Sequence, residues 1–139
     1  MRTGSPNWSG VWLLLCLLGI QSTFLAAPPN IPKQWPDVAG KVHPVAGQPV
    51  VLAWTGLGCP MSKLYRPRLA RLADEFVPKG VRFFLLNSNS QDAPADLKKL
   101  AADFDFPVVR DAGGQLARRL QVERTTEVLL LAANGQIRY

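Results

Sequence analysis

The chain has 139 residues, a length that suits one domain rather than two. Its 16 lysines and arginines outnumber 10 acidic residues, for a net charge of +6. The cations are scattered and lack interleaved aromatics, which excludes a nucleic-acid footprint and leaves only weak support for an anionic membrane surface. There is no low-complexity segment and no internal repeat.

The first 27 residues predict a secretory signal peptide. Arg2 supplies the positive charge, "VWLLLCLLGI" (Val11 to Ile20) the apolar core, and "QSTFLAA" the small residues before cleavage near Ala26 or Ala27. The apolar run falls short of the roughly 20 residues that a membrane-crossing helix needs. Export to a periplasmic or extracellular space is therefore expected, with an uncleaved membrane anchor as the alternative. Leu15, before Cys16, is not the small residue that a lipoprotein site would want.

Residues 28–48 are rich in Pro and Gly and predict an extended lead-in with turns. The domain proper is expected over 49–139. "VVLAWT" (Val50 to Thr55) is an apolar run bounded by Pro49 and Gly56, which fits a buried strand. Cys59 and Pro60 then open a helix, since proline is tolerated at the first helical position. Tyr65, Leu69, Leu72, Ala73 and Phe76 form one apolar face. Pro67 should kink this helix by removing one backbone donor.

"VRFFLLN" (Val81 to Asn87) predicts a second buried strand, and "SNSQDAP" a loop. Asp96 to Phe104 reads as a short helix, Phe106 to Asp111 as a third strand, and Gly114 to Val122 as one or two helical turns. Glu127 to Ala132 predicts a fourth strand, and Asn134-Gly135 is a strong hairpin signal before a returning "QIRY". Strands alternating with helices argue for β-α-β units with parallel pairing, closed by an antiparallel edge. The expected class is α/β, with a mixed central sheet flanked by helices.

Cys59 is the residue that carries a chemical question. After removal of residues 1–27 it is the lone cysteine, so it is a free thiol, an intermolecular disulfide partner, or an inert buried group. Its place between a strand end and a helix start favours the thiolate, because the first helix amides are unpaired and the dipole is positive there. Lys63 and Arg66 stand one turn further on, and Ser62 is a candidate hydroxyl donor to the sulfur. Trp54 either walls a pocket beside the site or belongs to the core. His43, the only histidine, lacks the companions that a metal site needs, so no metal is expected.

The strand, "GCPMS", the amphipathic helix, "VRFFLLN" and "TTEVLLLAANGQIRY" together resemble the thioredoxin-like superfamily. Within it the chain is most similar to the redoxin group, of the alkyl hydroperoxide reductase and thiol-specific antioxidant type. "DVAGKVH" (Asp37 to His43) also resembles the segment before the first core strand of secreted members, so the resemblance covers about residues 35–139. It implies a thioredoxin-like fold in which Cys59 matches the nucleophile of a Cys-x-x-Cys site and Ser62 replaces the resolving thiol. Thr126 falls where thioredoxins carry a cis-proline and peroxiredoxins often an arginine; Arg124 is close by. A peroxiredoxin would carry Thr or Ser where Gly56 stands, and Thr55 is one residue off. Copper-carrying relatives use two cysteines and a histidine, which this chain does not offer.

The resemblance implies an exported thiol oxidoreductase in which Cys59 attacks a peroxide or a disulfide, without a cofactor. An external thiol or thiol-protein reductant would regenerate it. The alternative is a redoxin-like binding or scaffold module with an incidental thiol. A complete thioredoxin-like domain continues into a full edge strand and a last helix, which leads to the expectation of a truncated edge. One sheet face is then expected to lie partly open, to be covered by a protein partner or a missing segment.

Overall fold

Four apolar runs become the four strands of one sheet, and a fifth and sixth short strand form a separate hairpin. These are seen in a computed structural model that describes residues 29–139. The expected signal segment, with Cys16, lies outside the described residues. In chain order the elements are β1 (Gln34–Pro36), β2 (Val42–Pro44), β3 (Val50–Trp54), α1 (Pro60–Phe76), β4 (Arg82–Asn87), α2 (Pro94–Ala101), β5 (Val108–Arg110), α3 (Gln115–Arg119) and β6 (Val128–Leu131). The main sheet has the order β5-β4-β3-β6. β3 pairs in parallel with β4, and β4 with β5, while β6 runs antiparallel to β3.

Alternation along the strands builds two cores. Leu52, Trp54, Phe84, Leu86 and Val109 face one side of the sheet, while Ala53, Phe83, Leu85 and Val108 face the other. α1 and α2 cover the second side with Ala73, Leu97 and Leu100. α3 covers the first side with Leu116, Ala117 and Leu120. The stretch between residues 28 and 48 also feeds that core. Its β1–β2 hairpin places Trp35 edge-on to Phe84, with ring centroids 5.1 Å apart, and Val45 joins them. The hairpin turn has a local cause. The Asp37 carboxylate accepts from the amides of Ala39 and Lys41 at 2.9 Å, and Gly40 takes a left-handed φ of 89°. His43 Nε2 meets the same carboxylate at 2.7 Å. Burial alone would raise the Asp37 pKa, but the His43 contact and the two amides outweigh it and hold the carboxyl below its usual range.

The helices start where proline allows. Pro60 and Pro94 each stand at a first turn, where a backbone donor would be orphaned anyway. That is why α2 begins two residues before the expected Asp96. It also ends earlier, because Ala102 closes the last turn and Phe104 swings onto Phe106, 4.9 Å between centroids. Pro67 lies within α1 without ending it. β5 is shorter than the run Phe106 to Asp111, since only three of its residues find partners on β4. At the chain's last turn, Asn134 Oδ1 accepts from the Gln136 amide and Gly135 takes φ 81°. The returning residues pair with β6 through an isolated bridge, Leu131 to Ile137, and not through a full strand.

The face of α1 expected to be wholly apolar is divided. Ala73 is buried and Leu69 and Phe76 pack on the core, but Tyr65 and Leu72 remain 39% and 45% exposed. On the same side of the sheet, Val128 and Leu130 of β6 are only partly buried.

Candidate active site

β3 ends at Trp54, and the next five residues carry the chain from the sheet into α1. Thr55 still pairs with the sheet, its amide donating to Leu86 O at 2.8 Å. Gly56 then turns the chain, and the Cys59 amide donates back to Gly56 O at 3.3 Å. Cys59 is the N-cap residue of α1, with extended backbone (φ −77°, ψ 118°), and its carbonyl accepts the Lys63 amide. The geometry follows from the sequence: Gly-rich turn, then proline at the first helical position, so the sulfur faces the open helix end.

The thiol is half-buried and free. Its pKa is lowered from 9.0 to about 7. The largest cause is the Ser62 backbone amide, followed by the Thr125 hydroxyl and the Ser62 hydroxyl; partial burial opposes them, and the Met61 amide adds a little. Thr125 Oγ1 donates to Cys59 Sγ at 3.5 Å. Ser62 is itself buried, and its oxygen accepts from the Gly56 amide at 3.1 Å, leaving its proton for the sulfur. Ser62 thus stands as a donor to the thiolate and brings no second sulfur.

The remaining expected residues divide clearly. Arg66 turns inward, and its Nη2 donates to Gly56 O at 3.1 Å, so it braces the turn and does not reach the sulfur as a partner. Lys63 is exposed, and the lowered pKa comes from amides and hydroxyls and not from either cation. Trp54 is core: it is buried on the sheet face opposite α1, with Nε1 donating to Ser88 Oγ at 3.2 Å. Thr55 is buried behind the site, and its carbonyl accepts from Asn87 Nδ2 at 3.0 Å. Thr126 has a left-handed φ of 78° and donates its amide to Trp54 O at 2.9 Å. Its hydroxyl also bonds Thr125 O. This strained residue fixes Thr125 across from Cys59. Arg124 is exposed; its amide donates to Glu127 Oε1 and its carbonyl accepts from the Glu127 amide.

Two residues of the site were not singled out by the sequence. Thr125 is one; only its neighbour matched a family position. Asp92 is the other. It lies in the loop before α2, is 8% exposed, and its Oδ2 accepts from the Leu57 amide at 2.8 Å and from Asn87 Nδ2 at 2.7 Å. It therefore ties the loop after β4 to the turn that presents Cys59. A single carboxylate within "SNSQDAP" gives no periodic signal, so only the tertiary contact shows it. Behind the turn lies a cavity of about 20 Å³, lined by Thr55, Ser62, Arg66 and Thr126 among others. No cluster of three or more metal-ligating side chains exists among the described residues.

The redoxin family model matches residues 38–139. The chain belongs to the redoxin family. No curated protein matches it. Solved structures share the fold of this redoxin. An uncharacterized conserved protein from Geobacillus kaustophilus is 26% identical, with 78% of this chain and 64% of that one covered and a TM-score of 0.71. StoA from Bacillus subtilis is 21% identical, with 81% and 87% covered and a TM-score of 0.68. A secreted Mycobacterium tuberculosis disulfide oxidoreductase homologous to E. coli DsbE is 18% identical, with 75% and 78% covered and a TM-score of 0.64. The redoxin chain spans just under two thirds of the Geobacillus protein. The thioredoxin-like fold implied by the sequence is thus shown, with a mixed sheet flanked by helices on both faces.

Proposed function

We propose that this redoxin is an exported thiol oxidoreductase of one-cysteine type, in which the Cys59 thiolate exchanges with a disulfide. The observation that carries this reading is the set of donors on one half-exposed sulfur: the Ser62 amide and hydroxyl and the Thr125 hydroxyl. An inert core cysteine would have no such set, and burial would raise its pKa. Export rests on the character of residues 1–27. No described helix is long and apolar enough to cross a membrane.

The chemistry proceeds in three exchanges. Cys59 Sγ attacks one sulfur of a substrate disulfide; a bond forms to that sulfur as the substrate S–S bond breaks. The other substrate sulfur leaves as a thiolate and takes a proton from solvent. An external thiol, as thiolate, then attacks the mixed disulfide at Cys59 Sγ. Attack on Cys59 releases the substrate's second thiol, and another external thiol frees Cys59. The net reaction reduces one disulfide to two thiols and oxidises two external thiols to one disulfide. Ser62 cannot take part, since an alcohol oxygen does not resolve a disulfide.

Disulfide is favoured over peroxide as the substrate. Gly56 offers no hydroxyl three residues before Cys59, and Arg66 directs Nη2 to Gly56 O and not to the sulfur. Neither then stands ready to polarise a peroxide O–O bond. The test is thiol titration with a neutral disulfide, followed by mass spectrometry of the mixed disulfide. The expected result is one adduct, lost in Cys59→Ser. A thiol that stays unreactive across neutral pH would sink the catalytic reading in favour of a scaffold module. Sulfenic-acid trapping with peroxide that outpaces disulfide exchange would reverse the choice of substrate.

A further inference from the structure

The first four turns of α1 show an unusual surface for a helix that starts at a reactive sulfur. Met61, Leu64, Tyr65 and Leu72 are 48%, 60%, 39% and 45% exposed. Residues spaced by three, four and seven share a helix flank, so 61, 65, 68 and 72 form one stripe, with 64 beside it. Cations stand among these apolar groups. Arg68 and Arg71 are exposed on this side of α1, Lys63 is exposed on the other side, and the first acidic residue of the helix is Asp74. Arg68 lays its guanidinium over the Tyr65 ring, 5.3 Å from the centroid. Arg124, next to the Thr125 that contacts the sulfur, is exposed as well.

Among the described residues no carboxylate forms an ion pair with Arg68, Arg71 or Arg124. The ion pairs among the described residues are His43–Asp37, Lys79–Glu75 and Lys99–Asp96; Glu75, on the last turn of α1, is engaged by Lys79. A surface that carries one sign of charge beside exposed apolar groups selects the opposite sign in its partner. A second copy of this chain, itself at +6, would bring like charges together. The stripe from Met61 to Leu72 is about 16 Å long at 1.5 Å per residue, more than a small thiol would cover.

We propose that this flank of α1 is a docking surface for an acidic polypeptide with exposed apolar side chains, whose thiol or disulfide is the one that exchanges with Cys59. The inference rests on the thiol-exchange reading and adds the partner's chemistry to it. Apolar side chains of the partner cover Met61, Leu64 and Tyr65, and its carboxylates meet Arg68, Arg71 and Arg124. Contact along the helix brings the partner's sulfur to the helix start, where Cys59 lies.

The test uses the full chain and two peptides with the same apolar residues and one cysteine held as a mixed disulfide with 2-mercaptoethanol. One peptide is flanked by aspartates and the other by lysines. Exchange rates are measured against a neutral small disulfide. The expected result is a rate at least about tenfold higher for the acidic peptide at low salt. The ratio should shrink toward one as ionic strength rises past the point where the screening length falls to a few ångströms. The double variant Arg68→Glu/Arg71→Glu should reverse the ratio, taken within that variant. Equal rates for the two peptides, or a preference that survives charge reversal, overturns the proposal. Serine versions of both peptides, followed by fluorescence anisotropy, probe docking without chemistry. If Cys59 proves inert to the neutral disulfide, the exchange reading fails alone; docking then stands or falls on whether the acidic serine peptide binds more tightly.

Discussion

Removal of the Thr125 hydroxyl gives the most discriminating test of how the site works. Thr125→Val keeps the shape of the side chain and deletes the donor 3.5 Å from Cys59 Sγ. With a pKa of about 7, the thiol is about half ionised at neutral pH; at its ordinary 9.0 it would be about one part in a hundred. Three groups supply most of the lowering, and Thr125 ranks second among them. Its loss should raise the pKa part of the way back toward 9.0; a rise of about one unit would cut the thiolate fraction at neutral pH roughly fivefold. A more basic thiolate is also a better nucleophile, by roughly threefold for a tenfold change in acidity. The two effects oppose each other. The variant should react about twofold more slowly than the parent near pH 7 and about threefold faster above pH 9, where both are ionised. The assay is the pH profile of the second-order rate with a neutral disulfide, read beside thiolate ultraviolet absorbance. Profiles that superimpose, or a variant slower by one constant factor at every pH, would refute the role given to this hydroxyl.

Four further outcomes are expected. Folding lowers the Cys59 pKa, so the ionised thiol stabilises the fold above the unfolded value of 9.0, and that contribution is lost as pH falls toward about 7. The stability gap between the parent and Cys59→Ser should therefore widen from about pH 7 to about pH 9 in chemical denaturation; a gap that does not change with pH contradicts the shift. Ser62→Cys should form an internal disulfide with Cys59 under mild oxidation, detected as a mass loss of two hydrogens, and should abolish accumulation of the external mixed disulfide. Persistence of the mixed adduct would show that the second sulfur cannot reach the first. Asp92→Ala leaves the Leu57 amide and Asn87 Nδ2 without their acceptor and should cost about 2–4 kcal/mol, while Asp92→Asn, which keeps one carbonyl oxygen, should cost less. Equal losses in the two variants would argue against the hydrogen bonds. Phe84→Ala empties the centre of the core under Trp35 and should cost about 3–5 kcal/mol, read as a lower denaturation midpoint at unchanged slope.

Much of the fold could be read from local pattern because each element states its own period. "VRFFLLN" holds four consecutive apolar residues, Phe83 to Leu86, which suits a strand covered on both faces, and β4 is the strand flanked by β3 and β5 with cores on each side. α1 has an apolar repeat and a proline at its first position, and its start at Pro60 follows from both. Boundaries were less legible. α2 runs from Pro94 to Ala101 because its last turn is decided by where Phe104 packs. The hairpin of β1 and β2 was hidden for a similar reason. Three-residue strands rich in proline carry no period, and only Trp35 packing on Phe84 gives them a partner.

The same division holds at the site. The sequence by itself determined that a lone cysteine stands at a strand-to-helix junction, with a serine where a second sulfur would be. Those are properties of neighbours in the chain, and the helix geometry carries them directly to the sulfur. Tertiary structure alone decided the rest. Thr125 reaches Cys59 from 66 residues away, because β6 pairs with β3 and delivers the preceding loop to the head of α1. Asp92 holds the Leu57 amide from 35 residues away, across the parallel pairing of β3 and β4. Trp54, though adjacent in sequence to the site, faces the opposite core, because strand alternation sends it to the other side of the sheet from α1. Contacts of that kind depend on sheet order and register, which no local pattern of residues encodes.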